Sequence, residues 1–237
     1  IPLFGRNFLR ALAAVHAAKI KLIYLAIGDV QKNIFVDTAD PESIGGTLER
    51  FGRVKLGRSP FTAQAGTYTI DVTGDAGAVI KASTTFKSDD DSSSPSKLFQ
   101  LDNEYTLTGS GDTIDVRALE GGLDSQLSIG DTLTATAPIA NVDSSTVVSA
   151  EVITPLSAET IEDYREKAIE AYQLEPQGGA ATDYRLWSAD AQGVAKVYPY
   201  VKQGFAGEIS LFVEATKADS IDGKGTPSQA ILDDVES

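Results

Sequence analysis

The sequence predicts an α+β fold made of an N-terminal helical arm, a middle antiparallel β domain and a C-terminal α+β domain. Two observations carry this reading. Apolar residues recur at helical spacing before about Arg58, switch to period two from Pro60 to Ile153, and return to helical spacing after Pro155. Glycine-rich turns such as Gly74-Asp75-Ala76-Gly77, Gly109-Ser110-Gly111-Asp112 and Glu120-Gly121-Gly122 punctuate the middle stretch, as expected between short strands. The expected parts are therefore residues 1–58, 59–154 and 155–237.

In the arm, Leu9, Leu12, His16, Ile20, Ile23, Ile27 and Val30 follow alternating steps of three and four, which places them on one face of a long helix. Phe8, Val15, Leu22 and Leu25 fall outside that stripe, so the helix must be covered on more than one side. A second helix is expected from Pro41 to Phe51, with Asp40 as N-cap, Ile44, Leu48 and Phe51 on one face, and Gly52 as its end. Gly45 and Gly46 count against it, at about 1 kcal/mol each relative to Ala.

The β domain opens with Tyr68, Ile70 and Val72 alternating with Thr67, Thr69, Asp71 and Thr73. Further strands are expected at Val79 to Phe86, Leu98 to Leu101, Tyr105 to Leu107, Thr113 to Leu119, Thr132 to Thr136 and Val147 to Ile153. After Pro155, Ser157 is placed as the cap of a helix carrying Ile161, Tyr164, Ala168 and Tyr172. Thr182 is placed as the cap of a shorter helix through Trp187 to Ala191, followed by strands at Val194 to Val201 and Glu208 to Ala215. Thr226-Pro227-Ser228-Gln229 opens a last helix that stops at Ser237, so the third part is expected to be C-terminally incomplete. The absence of methionine and the start at Ile1 fit an internal piece of a longer chain.

With 237 residues, 42% apolar and 23% charged, the chain reads as soluble and folded. A net charge of -14 would repel phosphate backbones and anionic head groups, so neither nucleic acid nor a membrane is an expected partner. Ala11 to Ile27 is the one long apolar run, and His16, Lys19 and Lys21 in its middle argue against a bilayer span. Without cysteine there is no disulfide, thiol nucleophile or thiolate-bound zinc.

No catalytic constellation is legible, and no enzyme activity, cofactor or metal is expected. A nucleophilic triad would need His16, which sits on an apolar helix face and reads as a buried or interface histidine. The run Asp89-Asp90-Asp91 before Ser92, Ser93 and Ser94 lacks the alternating ligands and sixth-position glycine of a calcium loop, and reads as a solvated tip. Gly109-Ser110-Gly111 and Gly223-Lys224-Gly225-Thr226 lack the full spacing of a phosphate loop. Tyr184 beside Trp187 would stack a sugar, but at helical spacing the pair reads as a core or interface anchor.

Two stretches carry short motifs that match one known family in order and spacing. In the first half they are Phe35-Val36-Asp37-Thr38-Ala39, Phe51-Gly52, Arg58-Ser59-Pro60, Ala65-Gly66-Thr67, and Gly77 to Thr84 leading to Phe86. In the second half the match comprises Ala118 to Gly122, Ile129 to Leu133, Ile139 to Val142, Glu159 with Tyr164-Arg165, Gly178-Gly179 with Asp183-Tyr184, and Gly193-Val194. Together these residues resemble the phage baseplate J family, whose Gly-Gly-x-Asp before the first C-terminal helix is replaced here by Ile153-Thr154-Pro155-Leu156-Ser157. The resemblance implies a structural wedge subunit of a contractile-tail baseplate, in a Mu-like phage or a related injection system. Such a subunit links neighbouring tail proteins into a ring around the hub and takes part in the rearrangement that triggers sheath contraction. It further implies as partners a second copy, other wedge proteins, and sheath-initiating and hub proteins, in a virion tail baseplate assembled in the bacterial host cytoplasm. The interface expected on this reading comprises Phe8, Leu12, Val15, Ile20, Ile23, Ile27 and Val30 of the arm with Tyr184 and Trp187. The alternative is a glycan-binding or glycan-degrading tail protein.

Overall fold

The computed structural model describes residues 3–41, 46–174, 178–205 and 207–236. They mix helices with antiparallel sheet, as the α+β reading expects, and fall into two units: Ile1–Ser59 with Ile161–Glu175, and Pro60–Thr160 with Pro176–Ser237.

The first unit contains α1 (Leu3–Lys32), α2 (Thr47–Lys55) and α3 (Ile161–Gln173). Its core is small: Ala39, Leu48 and Tyr164 are buried, with Val36, Phe51 and Leu56 packed against them. The second helix starts at Thr47, behind Gly46, and not at Pro41. Gly46 and not Asp40 holds the N-cap position, while the Asp40 N–H donates to Asn33 Oδ1 (2.8 Å) and its carbonyl accepts from the Leu48 N–H (3.2 Å). Ile44 and Gly45 lie outside the described residues. Nor does Gly52 end the helix. It is the contact surface for the Tyr164 ring, and any Cβ there would lie 2.1 Å from the Tyr164 hydroxyl. Ser157 likewise does not cap α3, which begins at Ile161; its N–H donates to Asp219 (2.7 Å).

In the second unit a six-stranded barrel closes in the order β1 (Thr67–Val72), β6 (Asp112–Ala118), β4 (Leu98–Leu101), β3 (Thr85–Ser88), β7 (Thr132–Ala135) and β8 (Ser145–Ile153). Period two decides what points inward: along β6, Asp112, Ile114, Val116 and Ala118 are buried while Thr113, Asp115 and Arg117 face solvent. Ile70 sits opposite Ile114 on one side and Val148 on the other, and Phe86 faces Phe99, so apolar residues meet across these three ladders. Closure leaves no sheet edge unpaired, and the register shifts of β1 against β8 at Thr67/Tyr68 and Thr69/Ile70 are bulges of the kind that bend strands. The stretch expected as one strand from Val79 to Phe86 is two. Ser83 takes a left-handed conformation (φ 66°) and separates β2 (Val79–Ile80) from β3, while β2 pairs with β5 (Tyr105–Thr106) in a flap outside the barrel ladder.

The rest of this unit comprises α4 (Ala181–Ser188), the hairpin β9 (Val194–Val201) and β10 (Ile209–Ala215), and α5 (Gln229–Glu236). Leu156, Ala191, Val194, Val197, Ala215 and Ile231 form its core. Two caps differ from expectation: α4 starts at Ala181, so Thr182 lies inside it, and Asp183 reaches back to the Gly179 and Ala180 N–H groups. At α5, Ser228 Oγ accepts from Ile231 N–H at 3.4 Å, while Thr226 bonds Asp222 instead. The segment that replaces the family's Gly-Gly-x-Asp ties this part to the barrel's start, since Leu156 pairs with Gln64 and Gln192 Nε2 donates to the carbonyls of Thr62 and Ser157.

Candidate interaction surfaces

Several carboxylates of the barrel unit are engaged by hydrogen bonds within the fold. Asp112 is buried at the mouth of β6, where it accepts from the Thr108 N–H, the Gly109 N–H, the Thr108 hydroxyl and the Tyr105 hydroxyl. These donors, the Thr108 backbone N–H first, hold its carboxyl at about 2 against an ordinary 3.8. Asp89 accepts the hydroxyls of Thr132 and Thr134, both at 2.8 Å, and Asp131 accepts the N–H groups of Ser93 and Ser128. The stretch after Asp89 is not wholly a solvated tip, because Ser92 and Ser94 are buried and bond the carbonyls of Thr132 and Gln126. Among the described residues no group of three His, Cys, Asp or Glu side chains is placed to hold a metal ion.

Because Asp112 titrates lower in the folded state than in the unfolded chain, its contribution to stability is complete above about pH 3.8 and lost as pH falls through about 2. Asp112→Asn retains the shape but only one acceptor oxygen. We expect the variant to melt lower at neutral pH and to show a flatter loss of melting temperature over that acid window, followed by circular dichroism. Parallel acid profiles in the two proteins would remove this role.

The residues that carry the family resemblance are structural in the same sense. Tyr164 donates its hydroxyl to the Arg58 carbonyl (2.7 Å). Arg165 donates to the carbonyls of Val36, Asp37 and Ala39 at 2.8, 3.1 and 2.9 Å, which fixes the loop that follows α1. Gly121 passes so close to Ala63 that a Cβ would lie 2.4 Å from its carbonyl oxygen.

The described surface also carries many large apolar side chains. Every described side chain of α1 from Arg6 to Lys32 is exposed, including the expected interface residues Phe8, Leu12, Val15, Ile20, Ile23, Ile27 and Val30. By length and composition Gly5–Lys32 is also long and apolar enough to cross a membrane, with Lys19 and Lys21 near its middle. Tyr184 and Trp187 are neither core nor near α1 in sequence. They meet edge to face at 5.3 Å, with Trp187 61% exposed, on a groove of about 720 Å³ lined also by Asp190, Leu211, Asp234 and Val235.

One surface went unnoticed in the sequence. Tyr198, Tyr200 and Phe212 stand together on the exposed face of the β9–β10 hairpin, Tyr200 and Phe212 at 5.6 Å edge to face. The signal was available, since Tyr198 and Tyr200 share one parity in β9 and Val197 the other.

Comparison with known proteins places the barrel. Residues 69–155 match the Baseplate J-like protein barrel domain family. The barrel is similar to the Baseplate J-like domain. The match runs from β1 to just past β8, the stretch that closes on itself here. No curated protein matches the chain. Among solved structures, a chain of the anti-feeding prophage (AFP) baseplate, determined by cryo-EM with six-fold symmetry, is similar at 12% identity and a TM-score of 0.46, over 92% of this chain and 60% of that one. The present chain thus spans 60% of that chain's length. In the sequence the barrel is flanked by the surfaces described above, α1 before it and the Trp187 groove and β9–β10 face after it.

Proposed function

We propose that the chain is a structural subunit of a contractile-tail baseplate, a J-type wedge protein that joins neighbouring tail proteins into a ring around the hub without catalysing a reaction. It would take part in the rearrangement that triggers sheath contraction. The observation that carries this reading is the match of residues 69–155 to the Baseplate J-like barrel in a chain whose 30-residue first helix is exposed from Arg6 to Lys32. A helix of this length with exposed Phe8, Ile23 and Ile27 is costly to leave in water, since burying each such side chain is worth roughly 1.5–3 kcal/mol. A bundle with helices of a second copy and of another tail protein removes that cost. The barrel supplies the rigid body the bundle connects. The glycan reading draws less support from the exposed aromatics, because Tyr200 and Phe212 meet at 80° and present no shared flat platform to a sugar ring.

The test is the double substitution Ile23→Asp, Ile27→Asp, with the tail partners co-expressed. Assembly should be lost while the barrel keeps its circular dichroism and melting temperature, because neither residue touches a core. Co-purification with the partners at wild-type yield would end the bundle role.

A further inference from the structure

The charge on α1 runs against the charge on everything else. Five cations, Arg6, Arg10, Lys19, Lys21 and Lys32, stand against one acid, Asp29, so the helix carries +4 within a chain of -14 and the remainder carries -18. Those cations divide by position. Arg10, Lys21 and Lys32 are spaced by eleven residues, about three turns of helix, and line one side. Lys19 lies among Val15, His16, Leu22 and Ile23, its neighbours at three and four residues, and so stands inside the bulky apolar arc.

A bundle that covers this arc encloses Lys19, and an enclosed ammonium needs an anion beside it. A second copy of α1 lying parallel to the first does not supply one. In parallel register it sets Lys19 against Lys19, and Asp29 is ten residues away, roughly 15 Å along the axis. A membrane surface would draw the arc into hydrocarbon with the cation at its centre, whereas interfacial helices keep their cations on the polar face. We infer that α1 is covered by an acidic amphipathic helix of a different chain, with Glu or Asp beside its apolar seam at the level of Lys19 and along the Arg10–Lys21 side. This rests on the bundle reading and names the chemistry of the bundle's other member.

The probe is a pair of synthetic helical peptides with Leu at the a and d positions of each heptad, one with Glu at e and g and the other with Lys. Binding to the whole chain is followed by fluorescence anisotropy. Non-specific attraction to a chain of net charge -14 favours the Lys peptide. The inference expects the Glu peptide to bind at least about tenfold tighter, about 1.4 kcal/mol. It also expects Lys19→Glu with Lys21→Glu to erase or invert that preference, with the barrel's circular dichroism unchanged. Equal binding of the two peptides, binding of neither, an unchanged preference in the double variant, or tighter binding to phosphatidylcholine–phosphatidylserine vesicles than to the Glu peptide would each overturn it. If the peptides bind equally while Ile23→Asp with Ile27→Asp still abolishes assembly, the bundle stands and only its charge selection fails.

Discussion

Phe99→Ala is expected to lower the stability of the barrel by about 3–5 kcal/mol, a large share of the roughly 5–15 kcal/mol available to a domain. Phe99 has no exposed surface, faces Phe86 on β3 and Ala118 on β6, and meets the Tyr68 ring edge to face at 5.8 Å. Truncation therefore leaves a cavity bounded by three strands of a closed ladder, and a closed ladder has no free edge along which to collapse. Tyr68 cannot swing in to fill it, because its hydroxyl accepts the buried Leu127 N–H at 3.1 Å. Urea unfolding would measure the loss. Val147→Ala on the outside of β8, where the side chain is 42% exposed, is the control and should change stability by no more than about 0.5 kcal/mol. A Phe99→Ala loss below about 1 kcal/mol would mean that the ladder relaxes around the gap.

The rows that make Phe99 so costly to lose are visible in the sequence, and the closure is not. Alternation identifies which residues of β1, β4, β6, β7 and β8 point inward, because side-chain direction along a strand is a local property. Barrel closure depends on β1 finding β8 about eighty residues later, as in Thr69 opposite Ala150, and no local pattern encodes that pairing. The same limit explains α3. Its apolar face was legible, but its grouping with α1 and α2 rests on contacts such as Tyr164 to Arg58 and Arg165 to Val36, which span more than a hundred residues. Asp112 could have been suspected, since an acid closing a Gly-Ser-Gly turn commonly accepts the turn's N–H groups. The exposed aromatics of α1 and α4 were legible as candidates because apolar surface beyond what one core needs is countable in a sequence. What covers them is a property of another chain.

Gly52→Ala is expected to destabilise the first unit by about 1–3 kcal/mol, although Ala favours helix over Gly by about 1 kcal/mol in an open site. The added methyl would lie 2.1 Å from the Tyr164 hydroxyl oxygen and 2.4 Å from the ring carbon that bears it, so the ring must move. It has nowhere to go, being fully buried beside Ala39 and Leu48 with its hydroxyl donated to the Arg58 carbonyl. Tyr164→Phe removes the nearer atom, so the double variant should cost less than the sum of the two single ones, a coupling readable from three melting curves. Simple additivity would show that the ring is not the obstacle. The consequence reaches the arm through the next residue: Arg165 holds the Val36, Asp37 and Ala39 carbonyls only while α3 keeps its place against α2. Displacing Tyr164 should thus release the loop that follows α1, and Gly52→Ala should be cut by protease between Lys32 and Asp40 faster than the parent protein, with the barrel left intact.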